Sequence, residues 1–215
     1  MRISIGACMA LRKLHALSAA LIAVFVSVHI ANHVAGLAGA TTHIAFMEAA
    51  RSVYRLAVIE WVLLSCVAFQ IVSGLTLVVR GWKLRHGLVP WLQAVSGLIL
   101  ALFLIVHVGA VLFGRVALSL DTNFYFAAAG FHVAPFQYFF APYYFLGVAA
   151  LFTHLACAAH GRFRSRPRVT RTLIVAIPSA IGLALSMFIV LSLAGALFPV
   201  EIPAEYKATY ALPKR

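Results

Sequence analysis

The chain has 215 residues, of which 64% are apolar and 10% charged, and its mean hydropathy is +1.01. Soluble domains are about half apolar and about a quarter charged, so this composition excludes a water-soluble globular protein and points to an integral membrane protein. The formal net charge of +12 would suit a nucleic-acid binder, but the basic residues cluster between apolar runs, and no glycine-rich phosphate loop, nucleotide fingerprint or Cys-x-x-Cys pair occurs.

Five apolar stretches reach the ~20 residues that a helix needs to cross a bilayer. They lie near residues 14–36, 56–79, 90–114, 138–160 and 172–199. The first follows Arg2, Arg12 and Lys13 and ends near the small residues 38–40, the outline of a secretory signal. Its apolar run is too long for a signal and its removal would break the charge alternation described below, so it is expected to be a retained span. The stretch THIAFMEAARSVYR that follows reads as a short amphipathic helix on the membrane surface. The second and third spans share a brief echo, IVSGLTLVV and AVSGLILAL, whose small residues allow close approach of helices or of a flat cofactor. FYFAAAGFHVAPFQYFFAPYYF is crowded with aromatics and holds Pro135 and Pro142. Such residues favour the membrane–water interface, so this segment is expected to lie on the surface rather than form a sixth span. RFRSRPRVTR, between the fourth and fifth spans, reads as a solvated basic loop that orients the protein and can dock anionic lipid or a partner. The fifth span is the longest and is expected to tilt or to end in the interface. Cys8, Cys66 and Cys157 sit near one end of or within spans, and the latter two read as small buried residues rather than a disulfide framework.

Charge sets the expected orientation. Arg2, Arg12, Lys13, Arg80, Lys83, Arg85, Arg162, Arg164, Arg166, Arg168 and Arg171 fall on one side of the membrane, and Arg51, Arg55, Arg115, Lys207, Lys214 and Arg215 on the other. All five acidic residues, Glu48, Glu60, Asp121, Glu201 and Glu205, lie in or beside the poorer side. By the positive-inside rule the richer side is cytoplasmic. The expectation is a single all-α domain over residues 1–215, with five transmembrane helices, the N-terminus cytoplasmic and the C-terminus outside.

Ionisable residues inside a bilayer mark functional sites by default. His43, His86, His132 and His160 occupy surface or terminal positions and read as solvated or interfacial side chains, and His15 stands at the inner boundary of the first span. Helical rise places His29 about 24 Å from Lys13 and His107 about 25 Å from Pro90, so the two imidazoles reach one level in the outer half. Two axial ligands of one haem iron would be placed this way; two unrelated polar residues hydrogen-bonded to backbone or hydroxyls would share a depth only by coincidence. His33 lies about 6 Å further out. A second matched level joins Gln70, about 15 Å from Arg80, with His154, about 12 Å from Arg162. Glutamine is not among the usual haem ligands, and Cys66, one turn away, ligates only as a thiolate, which an apolar setting opposes.

RKLHALSAA, VHIANH, AFQIVSG, LQAVSGLILALFLIVHVG and ALFTHLACAAHG together resemble the cytochrome b membrane anchor of succinate dehydrogenases and fumarate reductases, in its single-chain, five-span, two-haem form. The resemblance runs over nearly the whole length. It implies that histidines of spans one and three, here His29 and His107, hold an outer haem b, and that spans two and four hold an inner one. His154 keeps the fourth-span position, but Gln70 stands where the second-span ligand belongs. The inner haem is therefore expected to be absent or bound through His154 alone, with His33 a neighbour that bonds a haem propionate or a quinone carbonyl.

The function this implies is an electron-transfer anchor in the inner (cytoplasmic) membrane. Iron–sulfur and flavoprotein subunits would dock on its cytoplasmic face, electrons would pass to or from a membrane quinone, and dicarboxylate chemistry would belong to the partners. A free-standing cytochrome b, or the anchor of another oxidoreductase, would share the haem and differ in partners. A transporter or scaffold would use the histidines as polar contacts only; proton-coupled transporters carry acidic residues in their pathway, and here Glu60 is the one acid within a span. Reporter fusions at Lys83 and Arg166 are expected to register in the cytoplasm, and an external signal from either would remove the depth match on which the haem reading stands.

Overall fold

The computed structural model describes residues 5–210; Arg2, Lys214 and Arg215 lie outside them. Among the described residues the chain is helical and without strands: α1 (Ile5–Ala35), α2 (Ala40–Tyr54), α3 (Ala57–Gly81), α4 (Leu88–Val116), α5 (Phe124–Ala128), α6 (Gln137–Arg162), α7 (Arg168–Leu193) and α8 (Ala204–Ala208). Five segments are long and apolar enough to cross a membrane: Gly6–Ala38, Ala57–Leu84, Leu88–Val116, Gln137–Arg162 and Arg168–Leu193. The protein is a multi-pass membrane bundle, as its composition requires.

Side-chain pairs give the direction of each span. His15 meets Ser73, and the far end of α1 meets Tyr54 just before α3. Glu60 pairs with Arg115, Ser96 with His154, and Gly182 lies against Phe152. The spans therefore alternate up and down, with α1, α3, α4, α6 and α7 packed in that order. A close contact between Ser192 Oγ and the Gly36 carbonyl, 3.0 Å, ties the end of α7 to the turn after α1.

The bundle is turned inside out relative to a soluble one. Leu14, Leu17, Leu21, Val24 and Val28 make an exposed apolar stripe along α1. Ser18, Asn32, Ser73, Ser96, Ser186 and Ser192 point inward and are buried. Lipid tails are as apolar as leucine, so large side chains gain nothing by leaving them, and the interior goes to small residues that let backbones approach and to polar groups that find partners there.

The fifth span is shorter than expected. α7 stops at Leu193 because Gly195 takes φ +75°. The N–H of Gly195 then donates to the Ser192 carbonyl at 3.1 Å, and that of Ala196 to the Leu191 carbonyl at 2.9 Å. This is the Schellman way of closing a helix, and it is open mainly to glycine. The chain turns back, and residues 198–206 cover the end of the bundle.

That covering makes the largest buried core. Phe124, Ala128 and Ala129 pack with Tyr144 and Val148 of α6, Ile189 and Leu193 of α7, and Ile202 and Tyr206 of the tail. The aromatic segment is thus not a sixth span, as expected, but its first half is folded inside the protein rather than spread on the membrane surface. Asn123 starts α5 by accepting from the backbone N–H groups of Tyr125 and Phe126, the usual work of an N-cap. His132, expected to be solvated, lies 2.9 Å from the Leu193 carbonyl, satisfying one of the last carbonyls of α7.

Close approach of α6 and α7 depends on Gly182, where a Cβ would come within 2.4 Å of the Phe152 Cβ. Phe152 is held there by its own backbone, so Gly182→Leu must separate the helices, a cost of about 1–3 kcal/mol or more by the usual effect of overpacking. The detergent-solubilised variant is expected to melt well below the parent, whereas Ile181→Ala, on the exposed face, leaves the midpoint nearly unchanged; equal midpoints for both variants would contradict the packing described.

Candidate functional site

α1 and α4 do not pack together; a cavity of about 330 Å³ separates them. Its floor is aliphatic, with Ile22, Val26, Leu63 and Val67 among the lining residues. It lies in the half of the bundle opposite the loops at 80–86 and 162–171. The two helices meet across it through His29 and His107, whose ring centres are 5.9 Å apart at an interplanar angle of 68°. The depth match read from helical rise brings these two residues together.

Aromatic neighbours hold each ring. Phe25, one turn earlier on α1, stacks on His29 at 5.6 Å. Phe103 stacks on His107 at 5.1 Å and 12°, and Tyr143 stacks on the other side of Phe103 at 4.8 Å. The Tyr143 hydroxyl donates to the Phe103 carbonyl at 3.1 Å. Phe103 can occupy this place because Gly147 of α6 has no side chain; a Cβ there would fall 2.2 Å from its ring. A glycine on α6 thereby positions a histidine on α4.

Two further imidazoles join the cluster. His33 sits edge-on to His29 at 4.8 Å and 5.2 Å from His43. His43 comes from α2 and is 4% exposed, not the solvated side chain that its place in a connecting segment suggested. The amide of Asn32 donates to His43 Nε2 at 3.1 Å. Gly36 gives the ring passage, since a Cβ there would lie 3.0 Å from His43 Cδ2. The signal available in the sequence was the amphipathic pattern of α2, which buries His43 and Met47 on one face.

Arginines form the rim. Arg51, Arg55 and Arg115 all line the cavity. Arg51 pairs with Asp121 at 2.7 Å, and Arg115 with Glu60. Arg55 reaches only the Thr122 hydroxyl, at 3.4 Å. Burial, then the charges of Arg51 and Arg115, push the Arg55 guanidinium below its ordinary range. Arg51 Nε and Nη2, His43 Nδ1 and the Asn32 side-chain oxygen are buried without a hydrogen-bond partner in the protein. Buried polar atoms without partners are rare in folded proteins, and these four belong to residues that line one cavity.

Gln70 and His154 occupy the other half of the bundle but are not directed at each other. Gln70 Nε2 donates to the His15 carbonyl and to Ser18 Oγ, both at 2.6 Å. His154 Nδ1 lies 3.0 Å from the Gln93 carbonyl. Cys157 is buried in α6, and Cys66 is half-buried in α3. No protein-family model, curated protein or solved structure matches the chain.

Burial, reinforced by His29 and Arg51, lowers the pKa of His43 to about 4. An unfolded histidine titrates near ~6.5. Between those values the unfolded chain binds the proton and the folded one does not, so stability falls as pH drops through that window and is unaffected above it. His43→Gln removes the titration and keeps an acceptor for Asn32. Thermal midpoints in detergent at about pH 7.5 and about pH 4.5 are expected to differ less in the variant than in the parent, and an equal loss in both would exclude His43 as a cause.

Proposed function

We propose that the chain is the haem-carrying membrane anchor of a succinate dehydrogenase- or fumarate reductase-like complex, set in the inner (cytoplasmic) membrane with its N-terminus inside. The observation that carries this reading is the convergence of His29 and His107 across the cavity, 5.9 Å between ring centres. Two metal–nitrogen bonds of about 2 Å, plus about 1 Å from each nitrogen to its ring centre, require about 6 Å. Among the described residues no group of three or more His, Cys, Asp or Glu could hold a metal ion. Two imidazoles alone suit an iron that brings its other donors with it in a tetrapyrrole. The aliphatic floor fits the face of such a macrocycle. The rim, where Arg55 and the unpartnered atoms of Arg51 lie, fits its carboxylates by charge-assisted hydrogen bonds.

A bound haem b supplies a one-electron couple whose potential follows from its axial ligands and surroundings. His29 and His107 would hold it as neutral imidazoles, the only form that ligates, with Phe25 and Phe103 limiting their rotation. Arg51 and Arg55 would anchor the carboxylates at the rim. The core built on Phe124 and Tyr206 keeps water from that end of the cavity. His33, in contact with His29, is placed to donate to a propionate or to the carbonyl of a membrane quinone. On the opposite face, residues 161–170 are all exposed, and Arg162, Arg164, Arg166 and Arg168 would offer a basic surface for an iron–sulfur subunit carrying the flavoprotein. Charges at such a rim govern encounter and register more than affinity. Reduction or oxidation of the dicarboxylate would remain with those partners.

The purified protein is expected to show the sharp reduced α-band of a low-spin, six-coordinate b haem. His29→Ala and His107→Ala should each remove one such haem, and His33→Ala should keep it with a shifted potential or weakened quinone reactivity. Iron–sulfur and flavin subunits should co-purify. A spectrum without haem would end the proposal, and haem without those subunits would favour a free-standing cytochrome b.

A further inference from the structure

His29 and His107 stand in the same local frame. Each follows a phenylalanine by four residues, Phe25 on α1 and Phe103 on α4, a spacing that puts both rings of a pair on one helix face. Each phenylalanine stacks on its histidine, at 5.6 Å and 18° for Phe25 and at 5.1 Å and 12° for Phe103. Behind each phenylalanine stands a tyrosine from another helix, Tyr54 at the end of α2 and Tyr143 on α6. The two sets of His, Phe and Tyr are composed alike but closed differently.

Tyr54 meets Phe25 edge-on, at 5.3 Å and 79°, and among the described residues its hydroxyl has no hydrogen-bond partner. Tyr143 lies flat on Phe103, at 4.8 Å and 23°, and the exposed Phe139 backs it in turn at 5.3 Å and 15°. Four nearly parallel rings therefore run from the outer face of α6 to His107. The Tyr143 hydroxyl also donates to the Phe103 carbonyl at 3.1 Å. Within α4 that carbonyl is the acceptor for the backbone N–H of His107, four residues on, and its two lone pairs allow it both bonds. α6 thus grips the His107 turn twice, at the ring through Phe103 and at the backbone through one shared carbonyl. A side chain that only filled space would need no hydroxyl here, because in hydrocarbon a polar group costs energy until it is bonded.

We infer that Tyr143 is a positioning residue for His107: it sets the direction of the imidazole through Phe103 and ties the turn that carries it to α6. The inference rests on the haem-anchor reading above, and it adds that the two axial ligands are unequal. His107 is fixed at ring and backbone before an iron arrives, whereas His29, held at its ring alone, adjusts to meet it. Loosening Tyr143 therefore changes the angle between the two imidazole planes, 68° in this structure. Gly147 belongs to the same device, since a Cβ there would fall on the Phe103 ring.

The test compares the full-length protein, purified with whatever subunits accompany it, with Tyr143→Phe, Tyr143→Leu and Tyr54→Phe. The deciding quantity is the largest g value of the low-spin ferric haem that His29→Ala removes, which depends on the angle between its two imidazole planes. The second is the rate of haem transfer to an excess of apomyoglobin. Tyr143→Phe keeps the stack and loses one hydrogen bond, so its g value should shift and its haem should leave about 2- to 10-fold faster, the range one such bond supports. Tyr143→Leu loses the stack as well and should exceed it in both. Tyr54→Phe has no bond to lose and should move both less than Tyr143→Phe does. A parental g value in Tyr143→Phe would overturn the inference even if the thermal midpoint fell, since a merely structural hydroxyl would change the midpoint alone. Equal shifts in Tyr54→Phe and Tyr143→Phe would overturn it by removing the special role of the bond to the His107 turn. Should Tyr143→Leu fail to fold, the isosteric Tyr143→Phe decides alone. A parent without low-spin haem would overturn it together with the reading on which it rests.

Discussion

Hydrocarbon offers a buried polar group no partner, and the rest of this structure follows from that constraint. Ser18, Gln70, Ser73, Ser96 and His154 are turned inward and placed beside other polar groups, and His29 and His107 face a cavity, as a medium without hydrogen-bond partners favours. Serines return their protons to carbonyls of their own helix, as Ser73 does to Phe69 and Ser96 to Leu92. That leaves their oxygens as acceptors facing a neighbouring helix, and it is there that His15 and His154 are received. The polar groups of the interior are therefore directional instruments as much as satisfied residues. They decide ring tautomers.

The two halves of the bundle solve the constraint differently. Near the basic loops the imidazoles of His15 and His154 are fixed by hydrogen bonds and by clearances at Gly74 and Gly97. In the other half His29 and His107 make none among the described residues and are held by stacking on Phe25 and Phe103. Stacking restrains the tilt of a ring without choosing which nitrogen carries the proton, whereas a hydrogen bond from Nδ1 to an acceptor places a proton there. The polar character of the outer cavity is displaced to its rim, where Arg51 pairs with Asp121 and Glu48, Arg115 pairs with Glu60, and Arg55 bonds the Thr122 hydroxyl.

The number of spans is legible in the sequence because it rests on a long average, that of apolar length. The pairing of His29 with His107 was legible because helical rise converts residue number into depth. Depth, however, says nothing about azimuth. Gln70 and His154 were read at one level, and only the packing shows Gln70 turned toward α1. His43 was misplaced for a related reason. Its connecting segment reads as surface in the sequence, yet α2 folds its buried face over the cavity, and Gly36 clears the way. The end of α7 was set too far along because the apolar run continues through Phe198, while one glycine with positive φ stops the helix at Leu193. The echo around the two Ser–Gly pairs was visible but mute, since its meaning lies in what rests against it.

The core over the cavity end has an order of assembly built into it. It is made from the turn at residues 36–44, from Phe124 to Ala129, and from Ile202 and Tyr206, three segments spread along the length of the chain. Synthesis delivers the first two long before the third. During that interval α1 to α6, which supply most of the cavity lining, already exist while the last piece of its cover does not. This end of the cavity thus stays unroofed until the segment carrying Ile202 and Tyr206 has followed α7 out of the ribosome. Once that segment has folded back, opening this end of the cavity means parting a closed core that holds Phe124, Tyr144 and Tyr206.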